Sequence, residues 1–105
     1  METHLIAFEH LLWNEPQKGI RYKIFQSGVQ QLRLAEFSEE FEEDGWCCRG
    51  HAGYVIEGVC QVDFNDSKER FCAGNVFFIP EGEGHKHRLT VDKGQKFLTL
   101  LFETV

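Results

Sequence analysis

The stretch "GNVFFIPEGEGHKHRL", residues 74–89, decides how the rest of the chain is read. Gly74 permits the positive φ of a tight turn leading into a strand. Val76 to Ile79 form a continuous apolar run, and Pro80 ends it because proline has no N–H to give to a ladder. Gly82 and Gly84 let the backbone turn sharply, so that the next strand sends His85 back toward the interior. His85-Lys86-His87 follows, and in a strand residues i and i+2 share a face with Cα atoms roughly 6–7 Å apart. Two imidazoles so placed can converge on one ion, at bond lengths of about 2.0–2.1 Å for zinc.

On both sides of this stretch the pattern stays short and extended. "IRYKIFQ" (20–26) and "VQQLRLAEF" (29–37) are rich in β-formers, with Ser27-Gly28 between them. In the second, Leu32, Leu34 and Phe37 are expected inward, and Gln31, Arg33 and Glu36 toward water. "AGYVIEG" (52–58) and "VCQVDF" (59–64) read as strands joined at Glu57-Gly58, and "NDSK" (65–68) as a turn. "ERFCAGNVFFIP" (69–80) turns at Gly74-Asn75, while "HKHRLTV" (85–91) and "QKFLTLLFE" (95–103) flank a tight turn at Asp92-Lys93-Gly94. Residues 5–13 read as a short helix or an edge strand, and "NEPQKG" (14–19) as a turn. About nine strands at intervals of roughly 8–12 residues, with almost no helix, imply an all-β barrel or sandwich.

The 105 residues fit one domain, with no linker or repeat inside them. Ten phenylalanines and a hydrophobic fraction of 42% suit a packed core rather than a disordered tail. A net charge of −6 argues against nucleic acid, which needs a basic face, and against an anionic membrane surface. No stretch approaches the roughly 20 apolar residues of a membrane span. The N-terminus lacks the basic start and apolar middle of a signal peptide, so a cytoplasmic address is expected. Cys47, Cys48, Cys60 and Cys72 contain no CxxC and are expected as free thiols. No phosphate-binding glycine loop or nucleophile elbow is present, so no nucleotide cofactor is expected. Phe77, Phe78, Phe97 and Phe102 read as core or as subunit interface, and so small a domain is expected to form a homodimer.

Gly74, five residues, Pro80, one residue, Gly82, two residues and His85 together resemble the second motif of the cupin superfamily. "GYVIEG" (53–58) resembles the closing half of the first, so the motif region spans about residues 44–89 of a single domain over residues 1–105. The resemblance implies a cupin-type double-stranded β-helix, a jelly-roll barrel whose mouth can hold one small ligand. Such a first motif supplies two histidines and a glutamate to a metal. Counting back from Gly58, His51 falls at the glutamate position, Cys47 or Trp46 at the second histidine, and Gly45 or Asp44 at the first. His85 stands at the second motif's ligand position, and Leu89 replaces its final asparagine.

His51 and His85 are therefore the implied central pair, with Cys47 and His87 as supplements. Three nitrogens and a sulfur would suit a divalent transition metal: Zn, Fe, Ni or Mn. Blander readings stand beside these. His87 packs deeper against a backbone carbonyl or water, and Cys47 acts as a small buried hydrophobe. Trp46 either stacks on a ligand at the mouth, as a substrate-binding residue, or packs in the core. "SEEFEEDG" (38–45), with five carboxylates, is solvated surface or lies at a pocket mouth. Cys47 or Cys48 beside His51 is a weak thiolate–imidazole candidate. The expected function is metal binding in the cavity and action on, or sensing of, a small organic molecule. The alternative is a metal-free module that binds a sugar or organic acid without catalysis.

Overall fold

The computed structural model describes residues 4–105. It has eight strands: β1 (Asn14–Gln17), β2 (Ile20–Ser27), β3 (Gln30–Ser38), β4 (His51–Asp63), β5 (Lys68–Cys72), β6 (Val76–Ile79), β7 (Arg88–Thr90) and β8 (Lys96–Thr104). Two 3-10 turns, Phe8–His10 and Glu83–His85, are the only helical pieces among the described residues. All pairings are antiparallel, in the order β1-β2-β3-β8-β4-β5, with β6 and β7 also on β4. β4 is the strand on which the sheet curls over. Its first residues lie between β6 and β8, and its last lie between β5 and β7.

Gly58 makes that curl possible. It sits at φ +82°, and a Cβ there would fall 1.7 Å from the Lys96 carbonyl oxygen. The register with β8 also shifts between Val55 and Glu57. Residues 52–64, expected as two strands joined at Glu57-Gly58, are therefore one strand bent at its glycine, passing from one set of neighbours to the next. The N-terminal expectations change too. "NEPQ" is edge strand β1 rather than part of a turn, and the edge tolerates Pro16 because no inner ladder needs its N–H. Within 5–13 only residues 8–10 form a 3-10 turn.

The core follows the period-two alternation of the long strands. Phe97, Thr99, Leu101 and Glu103 of β8 are buried, as are Ala35 and Phe37 of β3. Phe37 packs edge-on to Phe41 at 4.9 Å and against Phe97 at 6.0 Å. An inward Phe37 carries every odd residue of β3 inward with it. Gln31 and Arg33 thus point in, and Leu32 and Leu34 point out, the reverse of the expected assignment. Phe37 is held in that phase by its packing against Phe41 and Phe97, with Ala35 buried beside it.

The outward leucines join an apolar outer face. Leu32 pairs with Phe102, Phe102 with Ala52, and Ala52 with Phe78 across four strands. Phe97 is core and Phe77 stacks on Phe71 at 4.8 Å, whereas Phe78 and Phe102 are exposed. The four cysteines are free thiols. No helix among the described residues is long and apolar enough to cross a membrane.

Candidate metal centre

Ahead of β4, residue 47 makes a single antiparallel bridge to residue 87. The Cys47 N–H donates to the His87 carbonyl at 2.8 Å, and the His87 N–H donates to the Cys47 carbonyl at 2.9 Å. Side chains of directly opposed residues leave the ladder on the same side, and here that side is the barrel interior. His51, the first residue of β4, pairs with Ile79 at the same end. The result is a cluster. One ligand atom from each of Cys47, His51 and His87 lies within 4.8 Å of the other two. Cys47 Sγ is 3.7 Å from His51 Nε2, and the two imidazoles meet edge to face at 5.4 Å.

The remaining ring nitrogens are occupied by oxygen acceptors. His87 Nδ1 donates to the His85 carbonyl at 3.1 Å, which leaves its Nε2 for the cavity. His51 Nδ1 approaches Glu103 Oε2 to 2.8 Å. The ring N–H does not aim along that line, so the contact is a close charge pairing rather than a well-aligned hydrogen bond. Glu103 is itself held by Gln31 Nε2 at 2.9 Å and Arg33 Nη2 at 2.8 Å. A carboxylate or carbonyl behind each imidazole is how metal-binding histidines are oriented and made more basic.

Electrostatics follow from these contacts. Hydrogen bonding to His51 and then His87 lowers the Cys47 thiol from 9.0 to about 5, against the opposing effect of burial. Burial alone would lower His51, but Cys47 and Glu103 outweigh it and raise the imidazole to about 9. His87 is raised in the same way by Cys47 and the His85 carbonyl, against its burial. Burial would raise Glu103, yet His51, Arg33 and Gln31 bring it down to about 2. These contacts favour the charged forms of Cys47, His51 and His87, set against a Glu103 carboxyl held well below its ordinary range.

The cluster sits on the wall of a cavity of about 250 Å³. Phenylalanines 37, 41, 71, 77 and 97 make up half of the ten apolar lining residues, and Arg33, Glu43 and Arg49 add charge. Glu43 accepts the Leu89 N–H at 2.9 Å, and burial raises its carboxyl. The acidic segment 38–45 thus reaches the cavity through one carboxylate, Glu43, and through the buried Phe41.

Of the residues expected at the site, the structure brings together Cys47, His51 and His87. It does not bring in His85. That residue ends a 3-10 turn with its ring exposed, and only its carbonyl serves the site. The strand alternation expected of His85-Lys86-His87 fails because residues 83–85 are not extended, so His87 takes the inward place. Trp46 does not line the cavity either. With Cys47 facing in, the indole faces out, flanked by Lys86 at 5.5 Å and Arg88 at 5.1 Å. Glu103, Arg33 and Glu43 were not anticipated as site residues. The alternation Phe97, Thr99, Leu101, Glu103 places Glu103 on the inner face, and that pattern was the available signal.

No protein-family model matches the sequence, and no curated protein does. Solved structures resemble it closely in shape. The polyketide cyclase RemF from Streptomyces resistomycificus superposes with a TM-score of 0.81 at 16% identity, covering 98% of this chain and 80% of that one. KdgF from Halomonas sp. gives 0.75 at 21% identity, over 100% of this chain and 96% of that one. An RmlC-like cupin from Shewanella frigidimarina gives 0.75 at 17% identity, over 99% and 93%. At such identities the likeness is one of backbone architecture. The curled antiparallel sheet, the bent β4 and these superpositions agree that the chain has the fold of the cupin superfamily.

Proposed function

We propose that this barrel binds a divalent transition metal through Cys47, His51 and His87 and acts on, or senses, a small organic molecule in the adjoining cavity. The observation that carries the reading is the convergence of three donor atoms within 4.8 Å at the cavity wall. Their chemistry fits an ion: the Cys47 thiol is already lowered to about 5, and both imidazoles are backed by oxygen acceptors. Two nitrogens and one thiolate suit zinc best and then iron or nickel, whereas manganese prefers oxygen ligands. Three protein ligands leave a coordination position for a small molecule, as catalytic zinc sites do. When bound there, the ion would supply Lewis acidity to an oxygen of that molecule. The chain's own residues would do the rest: Glu103 and Arg33 hold His51 in place, the phenylalanines exclude water, and Glu43 can hold a proton at the wall. RemF, a polyketide cyclase by name, supports a small-molecule role for this architecture.

A metal-free binding module is the second reading. It is favoured by the 3.7 Å contact between Cys47 and His51, a thiolate–imidazolium pairing that satisfies both groups without an ion. The free thiols fit a reducing compartment, so the cytoplasm is the inferred address. The outer row Leu32, Phe102, Ala52 and Phe78 supports a homodimer through that sheet face.

Elemental analysis of untagged protein tests the main reading. One transition-metal ion per chain is expected, lost in Cys47→Ala, His51→Ala and His87→Ala and retained in His85→Ala. Metal-free protein that still binds small ligands would favour the second reading. Metal that survives loss of both Cys47 and His87 would overturn the assigned centre.

A further inference from the structure

The chain has five arginines, and four of them have a partner. Arg21 pairs with Glu36, Arg33 with Glu103 and Arg70 with Asp92, and Arg88 donates to the Gly45 carbonyl. Arg49 is different. It lines the cavity, its side chain is exposed at the rim, and its guanidinium has no ion pair or hydrogen bond among the described residues.

The charges around it are already matched. Glu103 is covered by Arg33, Gln31 and His51. Glu43 is committed to the Leu89 N–H, and its burial disfavours the charged form. Cys47 lies against His51 and His87. In a molecule of net charge −6, an unpaired guanidinium at the edge of an apolar cavity is a charge awaiting an anion.

The lining limits what that anion can be attached to. Half of the ten apolar residues of the wall are phenylalanines, including the Phe71–Phe77 stack at 4.8 Å and the Phe37–Phe41 pair at 4.9 Å. Flat apolar groups suit such walls, and a sugar would leave its hydroxyls without partners there. The cavity volume of about 250 Å³ is below that of sites for drug-sized ligands, so a single ring with a short arm is the fitting size. The planar fork of a guanidinium matches a carboxylate with two parallel hydrogen bonds.

We infer that the cavity takes a small aromatic carboxylic acid, its ring among the phenylalanines and its carboxylate on Arg49. This rests on reading the cavity as a small-molecule site and does not require the ion. Arg49 is a specificity residue: it selects the charged acid over neutral molecules of the same shape.

Phenylacetate and its neutral counterpart phenylacetamide are the probes, titrated calorimetrically into zinc-loaded and chelator-treated protein. The acid is expected to bind about tenfold or more tightly than the amide in both forms, since a charged hydrogen-bond pair is at stake. Arg49→Met should abolish that preference and leave zinc content unchanged, and Arg49→Lys should keep part of it. Both substitutions are at an exposed side chain. Equal binding of acid and amide, or no binding of the acid in either form, overturns the inference. A preference that survives Arg49→Met also overturns it, because the carboxylate would then rest on another group, such as the ion. Failure of zinc binding alongside an Arg49-dependent preference would defeat the metal centre and leave this inference standing.

Discussion

Replacing Glu103 by glutamine removes one charge from behind His51 while keeping the side chain's shape. The carboxylate is 2% exposed and faces Arg33 and His51, each at 2.8 Å. Its carboxyl is held at about 2 against an ordinary 4.5. That difference corresponds to about 3 kcal/mol of stability at neutral pH. An independent route agrees: removing one partner of a buried ion pair typically costs about 3–5 kcal/mol, because the other charge is left uncompensated. Glu103→Gln should therefore lower the stability of the metal-free protein by about 3 kcal/mol at pH 7.

The sign with pH follows from the lowered carboxyl. Glu103's contribution is fully present above 4.5 and is lost as pH falls through about 2. The variant should show a flatter acid limb, and the two stability curves should converge toward that lower value. Loss of the oriented imidazole should also weaken zinc binding by about 10–100-fold. Guanidinium melts across a pH series measure the first effect, and competition against a chromophoric chelator measures the second. Unchanged stability at pH 7, together with an acid limb parallel to that of the parent protein, would refute the placement of Glu103 against Arg33 and His51.

Three further outcomes are expected. In chelator-treated protein, alkylation of Cys47 should follow an ionisation near pH 5, whereas Cys60, pushed up to about 12 by burial, should stay inert, and zinc should protect Cys47; peptide mass mapping reads all of this. Gly58→Ala should destabilise by more than about 3 kcal/mol, because its Cβ would overlap the Lys96 carbonyl, while Gly28→Ala, with open space around it, should cost about 1–2 kcal/mol in thermal melts. Phe78→Lys, at a side chain 76% exposed, should abolish the dimer proposed through this face in sedimentation velocity, with little change in melting temperature.

The barrel was legible because its punctuation is local. Gly74 does take positive φ, Pro80 does end β6, and Gly82 does begin the turn that follows. Sequence and structure part where a residue's meaning depends on a distant neighbour. Gly58 looks like the tip of a hairpin until Lys96 is known to pass beside it. Leu32 and Leu34 look like core residues until Phe37 is seen to hold β3 in the opposite phase. Each is a question of packing across the sheet, which spacing along the chain does not encode.

The site divides along the same line. Counting from Gly58 reaches His51 and leaves Cys47 or Trp46 as the next position, since the segment before β4 keeps its length whether or not the strand bends afterwards. The third member of the cluster cannot be reached by counting. Residues 85 and 87 have the same parity, so alternation alone would bring both imidazoles in. The 3-10 turn at 83–85 breaks the alternation, and the paired hydrogen bonds between Cys47 and His87 decide which imidazole enters. His85 then contributes its carbonyl instead of its ring, and that carbonyl fixes the nitrogen His87 turns toward the cavity. The third donor of the cluster is therefore set by the cross-strand partner of Cys47, and the motif's own histidine becomes the support of its neighbour.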